Sequence, residues 1–168
     1  FDALVNYVIP EVLKIKREKG DSKIRVWSAG CSTGEEPYTL AMIFKDKLPP
    51  GIQAEIVASD LSLKSLMVGK AGFYPEARIA GIPDNYLSRF FEQKNNGYQV
   101  KDELMKMIRF DYHNLKNDSG QRNVDILFSE TCSSISTRWL KRRLSTGSGT
   151  RCRRNRIFSS AIRSRFSA

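Results

Sequence analysis

An α/β fold built on a parallel sheet is the class this sequence predicts, and three observations predict it. The alternating run Ile24, Val26, Trp27 stops at a small-residue turn, Ala29-Gly30-Cys31-Ser32-Thr33-Gly34, and an amphipathic helix follows. After that helix a second apolar run, Ala54 to Ser59, finishes on an acidic residue, Asp60. Leu104 to Phe110 then leads into a third strand and Val124 to Phe128 reads as a fourth, so strands and helices alternate as they do around a parallel sheet. The 168 residues suit a single domain with a substantial core.

Taken in order, Phe1, Leu4, Val8, Ile9, Val12, Leu13 and Ile15 recur at helical spacing and predict an opening amphipathic helix interrupted at Pro10. Glu18 to Ser22 is the polar turn into the first strand. Beyond the loop, Pro37 falls in the first helical turn, where a missing N–H costs little, and Leu40, Ala41, Ile43, Phe44 and Leu48 form the buried stripe. Pro49-Pro50-Gly51 ends that helix. Gly72-Phe73-Tyr74 and Tyr86 to Phe91 are aromatic segments; stacking platforms for bases have this composition, but such spacing is more often core. Asn95-Asn96-Gly97, lying between Phe90-Phe91 and Tyr98-Gln99-Val100, signals a β-hairpin. His113 is the only histidine and follows the third strand with no serine or cysteine nucleophile signature near it, so it reads as structural.

The loop at 29–34 is the first candidate site. A helix begins with unpaired N–H groups, and glycines let a ligand approach the main chain. A phosphate-binding loop of the G-x-x-x-x-G-K-[ST] kind sets a lysine beside the phosphates, whereas here Glu35 and Glu36 follow Gly34. Carboxylates suit a ligand with positive charge or with hydroxyl and amino donors, and S-adenosylmethionine offers a sulfonium, an ammonium and a ribose diol. The same pair complements a helix N-terminus, with Ser32 and Glu35 spaced as a capping box, so on spacing alone capping and binding both stay open. Asp60 divides similarly. At the end of a second strand it is placed to accept two ribose hydroxyls, and it is also a plausible N-cap for a helix over Leu61 to Val68.

The stretch Arg25-Val26-Trp27-Ser28-Ala29-Gly30-Cys31-Ser32-Thr33-Gly34-Glu35-Glu36-Pro37-Tyr38 closely resembles the first motif of the CheR-type chemotaxis receptor methyltransferases, which use S-adenosylmethionine to esterify receptor glutamates. The resemblance implies a Rossmann-like class I S-adenosylmethionine-dependent methyltransferase fold, a seven-stranded sheet with helices on both sides and a small antiparallel insertion. Only about four strands are recognisable here, so the fold is expected to be incomplete. It also implies cofactor-binding positions: Gly30 in the loop, Glu36 on a polar end of the cofactor, Asp60 on the ribose, and Asn114 with Leu115 on the adenine. The protein substrate is then the cytoplasmic domain of a chemotaxis receptor. In the family an Asn, a Thr and an Arg that contact the cofactor lie upstream of the first helix, and the start at Phe1 without Met is what a chain shortened at its N-terminus would show.

Charge is unevenly placed. Residues 1–128 hold 18 Lys+Arg against 17 Asp+Glu, while residues 129–168 hold 10 against 1 and carry nearly all of the net +10. In that tail hydrophobic periodicity disappears, and 19 of 40 residues are Ser or Arg, the composition of a disordered basic arm. A second explanation is a change of reading frame near codon 129. One choice of codons for Glu130 to Leu140, regrouped by one base, spells Arg-Asn-Val-Leu-Ile-Tyr-Phe-Asn-Pro-Met-Val. Phe158 to Arg165, at the same offset, gives Leu-Gly-His-Ser-Glu-Ser, and the CheR-type family carries both sequences at corresponding distances. On that expectation residues 1–128 form a partial catalytic domain, residues 129–168 are out of frame, and activity is impaired.

Esterifying a glutamate needs no activating base, because a carboxyl with a pKa of about 4.3 is already ionised at neutral pH, so alignment in a water-poor cleft should carry most of the rate. No catalytic residue is singled out. Cys31, Cys132 and Cys152 show no metal-ligand spacing and suit a reducing cytoplasm. No apolar run reaches membrane-spanning length. Two rival classes stand beside the methyltransferase. One is a nucleic-acid-binding protein gripping phosphates with the Arg/Ser tail. The other is a nicotinamide dehydrogenase, which Glu35-Glu36 at the phosphate position argues against.

Overall fold

The computed structural model describes residues 1–117 and 120–129. The chain opens with a π turn, Leu4–Val8, that runs directly into helix α1 (Ile9–Lys19). The expected interruption at Pro10 is therefore a widening and not a break. Pro10 has no N–H, and its ring would crowd the carbonyl one turn earlier. It sits in the first turn of α1, and the Ile9 N–H reaches back to the Leu4 carbonyl in the wider turn ahead.

Strand β1 (Lys23–Ala29), helix α2 (Glu35–Lys47), strand β2 (Gln53–Asp60) and helix α3 (Leu63–Ala71) then follow. Next come β3 (Phe73–Tyr74), α4 (Glu76–Ile79), α5 (Asp84–Phe90), β4 (Phe91–Lys94) and β5 (Gly97–Val100). Helix α6 (Asp102–Met105) leads into β6 (Ile108–Tyr112), and β7 (Ile126–Phe128) is the last described element. The fold is mixed α/β, as the alternation of elements predicts.

The main sheet is parallel, in the order β6-β2-β1-β7. Its register sets Val26 between Ile56 and Ile126, and Ile56 beside Ile108. Because side chains alternate along a strand, Ile24, Val26, Ile56, Ala58, Ile108 and Ile126 bury one face together, with Leu40 and Phe44 of α2 in the same core. The intervening residues Arg25, Glu55 and Arg109 line a groove of about 400 Å³ near the amino ends of the strands. Lys16, on α1, is buried and pairs with Asp21 at 2.6 Å and Asp125 at 2.8 Å, so the first helix is tied to the approach of β7. Burial works to lower its pKa, but the hydrogen bonds to Asp125 and Asp21 outweigh this and raise it above the ordinary lysine value.

The hairpin expected at Asn95-Asn96-Gly97 is β4 and β5, and β3 joins it to make a three-stranded antiparallel sheet ordered β3-β5-β4. A two-residue strand is too short to show a period in sequence. Apart from Ser129, the segment expected to be an out-of-frame tail lies outside the described residues.

Candidate functional site

Strands β1, β2 and β6 run in the same direction, so the residues that follow them gather at one edge of the sheet, where ligands of α/β proteins bind. Asp60 is the centre of this gathering. Its Oδ2 accepts the Ser32 N–H at 2.9 Å and its Oδ1 the Ser62 N–H at 2.9 Å, which joins the loop after β1 to the loop after β2. The His113 N–H donates to the Asp60 carbonyl at 3.1 Å and draws Asn114 and Leu115 alongside. Asp60 is not an N-cap, because Ser62 caps α3 through its Oγ, which accepts from the Ser65 N–H. Each carboxylate oxygen holds one backbone N–H and keeps lone-pair capacity for a further donor.

The loop itself folds back over the end of β2. The Gly30 and Cys31 N–H groups both donate to the Ser59 carbonyl, at 2.7 and 3.0 Å, a reversal that Gly30 makes at φ 82. Helix α2 then starts after Gly34, whose φ of 96 makes it the left-handed N-cap. Of the two roles that spacing leaves open, a capping box of Ser32 and Glu35 does not form: Ser32 lies two positions ahead of the cap, and its N–H is engaged by Asp60.

The two glutamates part company in the structure. Glu36 is half-buried and its Oε1 accepts the Ser28 hydroxyl at 2.6 Å, which fixes it against the end of β1. Glu35 turns the other way, accepts the Thr33 hydroxyl and pairs with Arg78 of α4. Sequence reasoning assigned Glu36 to the cofactor and set Glu35 in a capping box, and it missed Arg78, which lies 43 residues away from Glu35. It also missed the Tyr74 hydroxyl, which donates to the Thr33 carbonyl at 2.8 Å; the aromatic run around Tyr74 reads as core, and its ring is indeed buried.

Beneath the loop, Trp27 donates its indole N–H to the Ser59 hydroxyl at 2.8 Å and meets the edge of His113 with centroids 5.4 Å apart. His113 is buried there. Burial, followed by the negative charge of Asp60, pushes the Cys31 thiol up to about 12, so it is no nucleophile at neutral pH. Asn114 and Leu115 are half-buried, and the Asn114 Oδ1 accepts the Lys116 N–H at 3.0 Å. All five positions named from sequence, Gly30, Glu36, Asp60, Asn114 and Leu115, therefore lie at the carboxyl ends of β1, β2 and β6. Among the described residues no group of three His, Cys, Asp or Glu side chains is arranged to hold a metal ion, and no helix is long and apolar enough to cross a membrane.

Comparison with known proteins gives a family match and a set of relatives. Residues 1–144 match the family model described as CheR methyltransferase, SAM binding domain. A chemotaxis protein methyltransferase of Borreliella burgdorferi is 35% identical over 134 residues, which is 76% of this chain and 47% of that protein. One from Listeria monocytogenes is 33% identical over 127 residues, again 76% and 47%. Chemotaxis protein methyltransferase 1 of Pseudomonas aeruginosa is 34% identical over 147 residues, 77% of this chain and 52% of that protein. The chain spans about half the length of these relatives.

Proposed function

Since this chain belongs to the CheR methyltransferase family through its S-adenosylmethionine-binding domain, we propose that it serves methyl transfer from S-adenosylmethionine to glutamate carboxylates on the cytoplasmic domain of chemotaxis receptors, as a cytoplasmic protein. The observation that carries this reading is the donor set at the sheet edge. Two half-buried carboxylates, Glu36 and Asp60, flank a backbone loop that offers no basic side chain of its own. Such a set fits a cationic ligand with hydroxyl and amino groups and disfavours a pyrophosphate.

In this reading Asp60 accepts the ribose hydroxyls, Glu36 a polar end of the cofactor, and Asn114 with Leu115 borders the adenine, while Gly30 lets the main chain come close. When bound, S-adenosylmethionine supplies an electrophilic methyl group that leaves a neutral thioether as the carboxylate takes it in line. The chain's own part is to hold and orient. Ser28 fixes Glu36, the Ser32 and Ser62 N–H groups fix Asp60, and the Ser59 carbonyl fixes the bend of the loop. The incoming glutamate needs no proton removed at neutral pH, and accordingly no base is assigned.

Calorimetric titration of the chain with S-adenosylmethionine tests the proposal. Binding that falls at least about tenfold in Asp60→Ala and in Glu36→Gln is the expected result, since each removes a charge-assisted hydrogen bond. Absence of heat with the unaltered chain, or tighter binding of a nicotinamide dinucleotide, overturns it. Base-labile methyl groups formed on a receptor cytoplasmic fragment are the product to assay.

A further inference from the structure

The structure assigns to Arg78 the part of a positioning residue for the cofactor loop, an assignment that rests on the reading of that loop as the S-adenosylmethionine site. Arg78 stands on α4, at the entry to the antiparallel insertion, and its Nη1 reaches both the Thr33 Oγ1, at 3.3 Å, and the Glu35 carboxylate. Thr33 closes the triangle by donating its hydroxyl to Glu35. Four residues earlier, Tyr74 donates to the carbonyl of the same Thr33. The loop is thereby gripped from the insertion at the side chain and the backbone of one residue, next to the glycine that starts α2.

Two physical arguments separate this from a surface ion pair of no consequence. The Arg78 and Glu35 side chains are 58% and 39% exposed, so the pair adds little to global stability, and its effect must be local. The sign of the charge also discriminates. Arg78 is a cation beside a site read as binding a cationic methyl donor, so by charge alone its removal would tighten binding of S-adenosylmethionine and leave the neutral S-adenosylhomocysteine unaffected. Positioning predicts the reverse, a weakening felt by both ligands. With Arg78 in place the Glu35 carboxylate is held in an ion pair toward α4, on the side of the insertion.

The test compares the full chain with Arg78→Ala, Arg78→Lys, Glu35→Gln and the Arg78→Ala/Glu35→Gln double variant. Amide hydrogen exchange over residues 30–36 is measured without cofactor, and both ligands are titrated by calorimetry. Faster exchange of the loop in Arg78→Ala is expected, with both affinities about threefold to tenfold weaker, partial rescue by lysine, and a double variant no worse than the singles. Unchanged exchange, or S-adenosylmethionine binding that tightens on removing Arg78, overturns the assignment. If the unaltered chain binds neither ligand, the functional reading fails while the exchange arm still decides whether Arg78 holds the loop.

Discussion

Replacing Gly34 by alanine puts a number on how tightly the loop is built into the fold. At φ +96 an L side chain is strained, and left-handed conformations of this kind cost about 1–3 kcal/mol. The added Cβ would also lie 2.9 Å from the Gly69 Cα and 2.9 Å from the Tyr74 hydroxyl. The first is backbone of a packed helix and cannot swing aside, so overpacking adds about 1–3 kcal/mol. The total is about 2–6 kcal/mol, or about 4–24 °C in melting temperature for a chain of this size. Gly51→Ala is the matched control: its φ is 88, and nothing lies within 4 Å of the position its Cβ would take. That variant therefore reports strain alone, about 1 kcal/mol. Urea unfolding of both, followed by tryptophan fluorescence, isolates the crowding term as their difference. A Gly34→Ala chain within about 0.5 kcal/mol of Gly51→Ala refutes the close contact with α3.

Ser59→Ala strips the buried Trp27 indole N–H of its acceptor and should cost about 1–3 kcal/mol in the same unfolding assay, with a shift in the emission maximum; an unaltered midpoint counts against the bond. Asp21 is held well below the usual carboxylate range by Lys16, the Lys23 N–H and Arg25. A lowered carboxylate pKa contributes stability that is complete above the unfolded value, about 3.9, and is lost as pH falls below it. The urea midpoint should accordingly fall as pH drops below about 4, less steeply in Asp21→Asn, and equal slopes would remove Asp21 from the account. With its thiol pushed up to about 12 by burial and then by Asp60, Cys31 should resist iodoacetamide at neutral pH in the folded chain and react in urea, as read by peptide mapping. Labelling of the native protein at Cys31 would show that the loop opens.

Much of the sheet and the backbone of the candidate site were legible in sequence because local signals carry them. Alternation marks β1 and β2, Pro37 and the stripe ending at Leu48 mark α2, and the acidic residue closing β2 marks the strand end. What was not legible depends on contacts made across the chain. The spacing of Ser32 and Glu35 satisfies a capping box, but the Asp60 carboxylate takes the Ser32 N–H and Arg78 takes Glu35, and neither partner is near in sequence. The π turn before Pro10 and the two-residue β3 leave no periodic trace. Tyr74 shows the limit from the other side, since a buried ring hides a hydroxyl that reaches the loop.

The lock between Arg25 and Asp125, where the Arg25 N–H meets the Asp125 carboxylate at 2.8 Å, spans 100 residues, whereas β1 finds β2 after a single helix. During synthesis the β1-α2-β2 unit can leave the ribosome and pair while the codons for β7 are still unread. Until that short strand arrives, one flank of β1 offers unpaired main-chain groups to any passing extended peptide. The order of translation thus makes this edge the nascent chain's exposure to chaperones and to mispairing, and slowing elongation before codon 125 should lengthen that window.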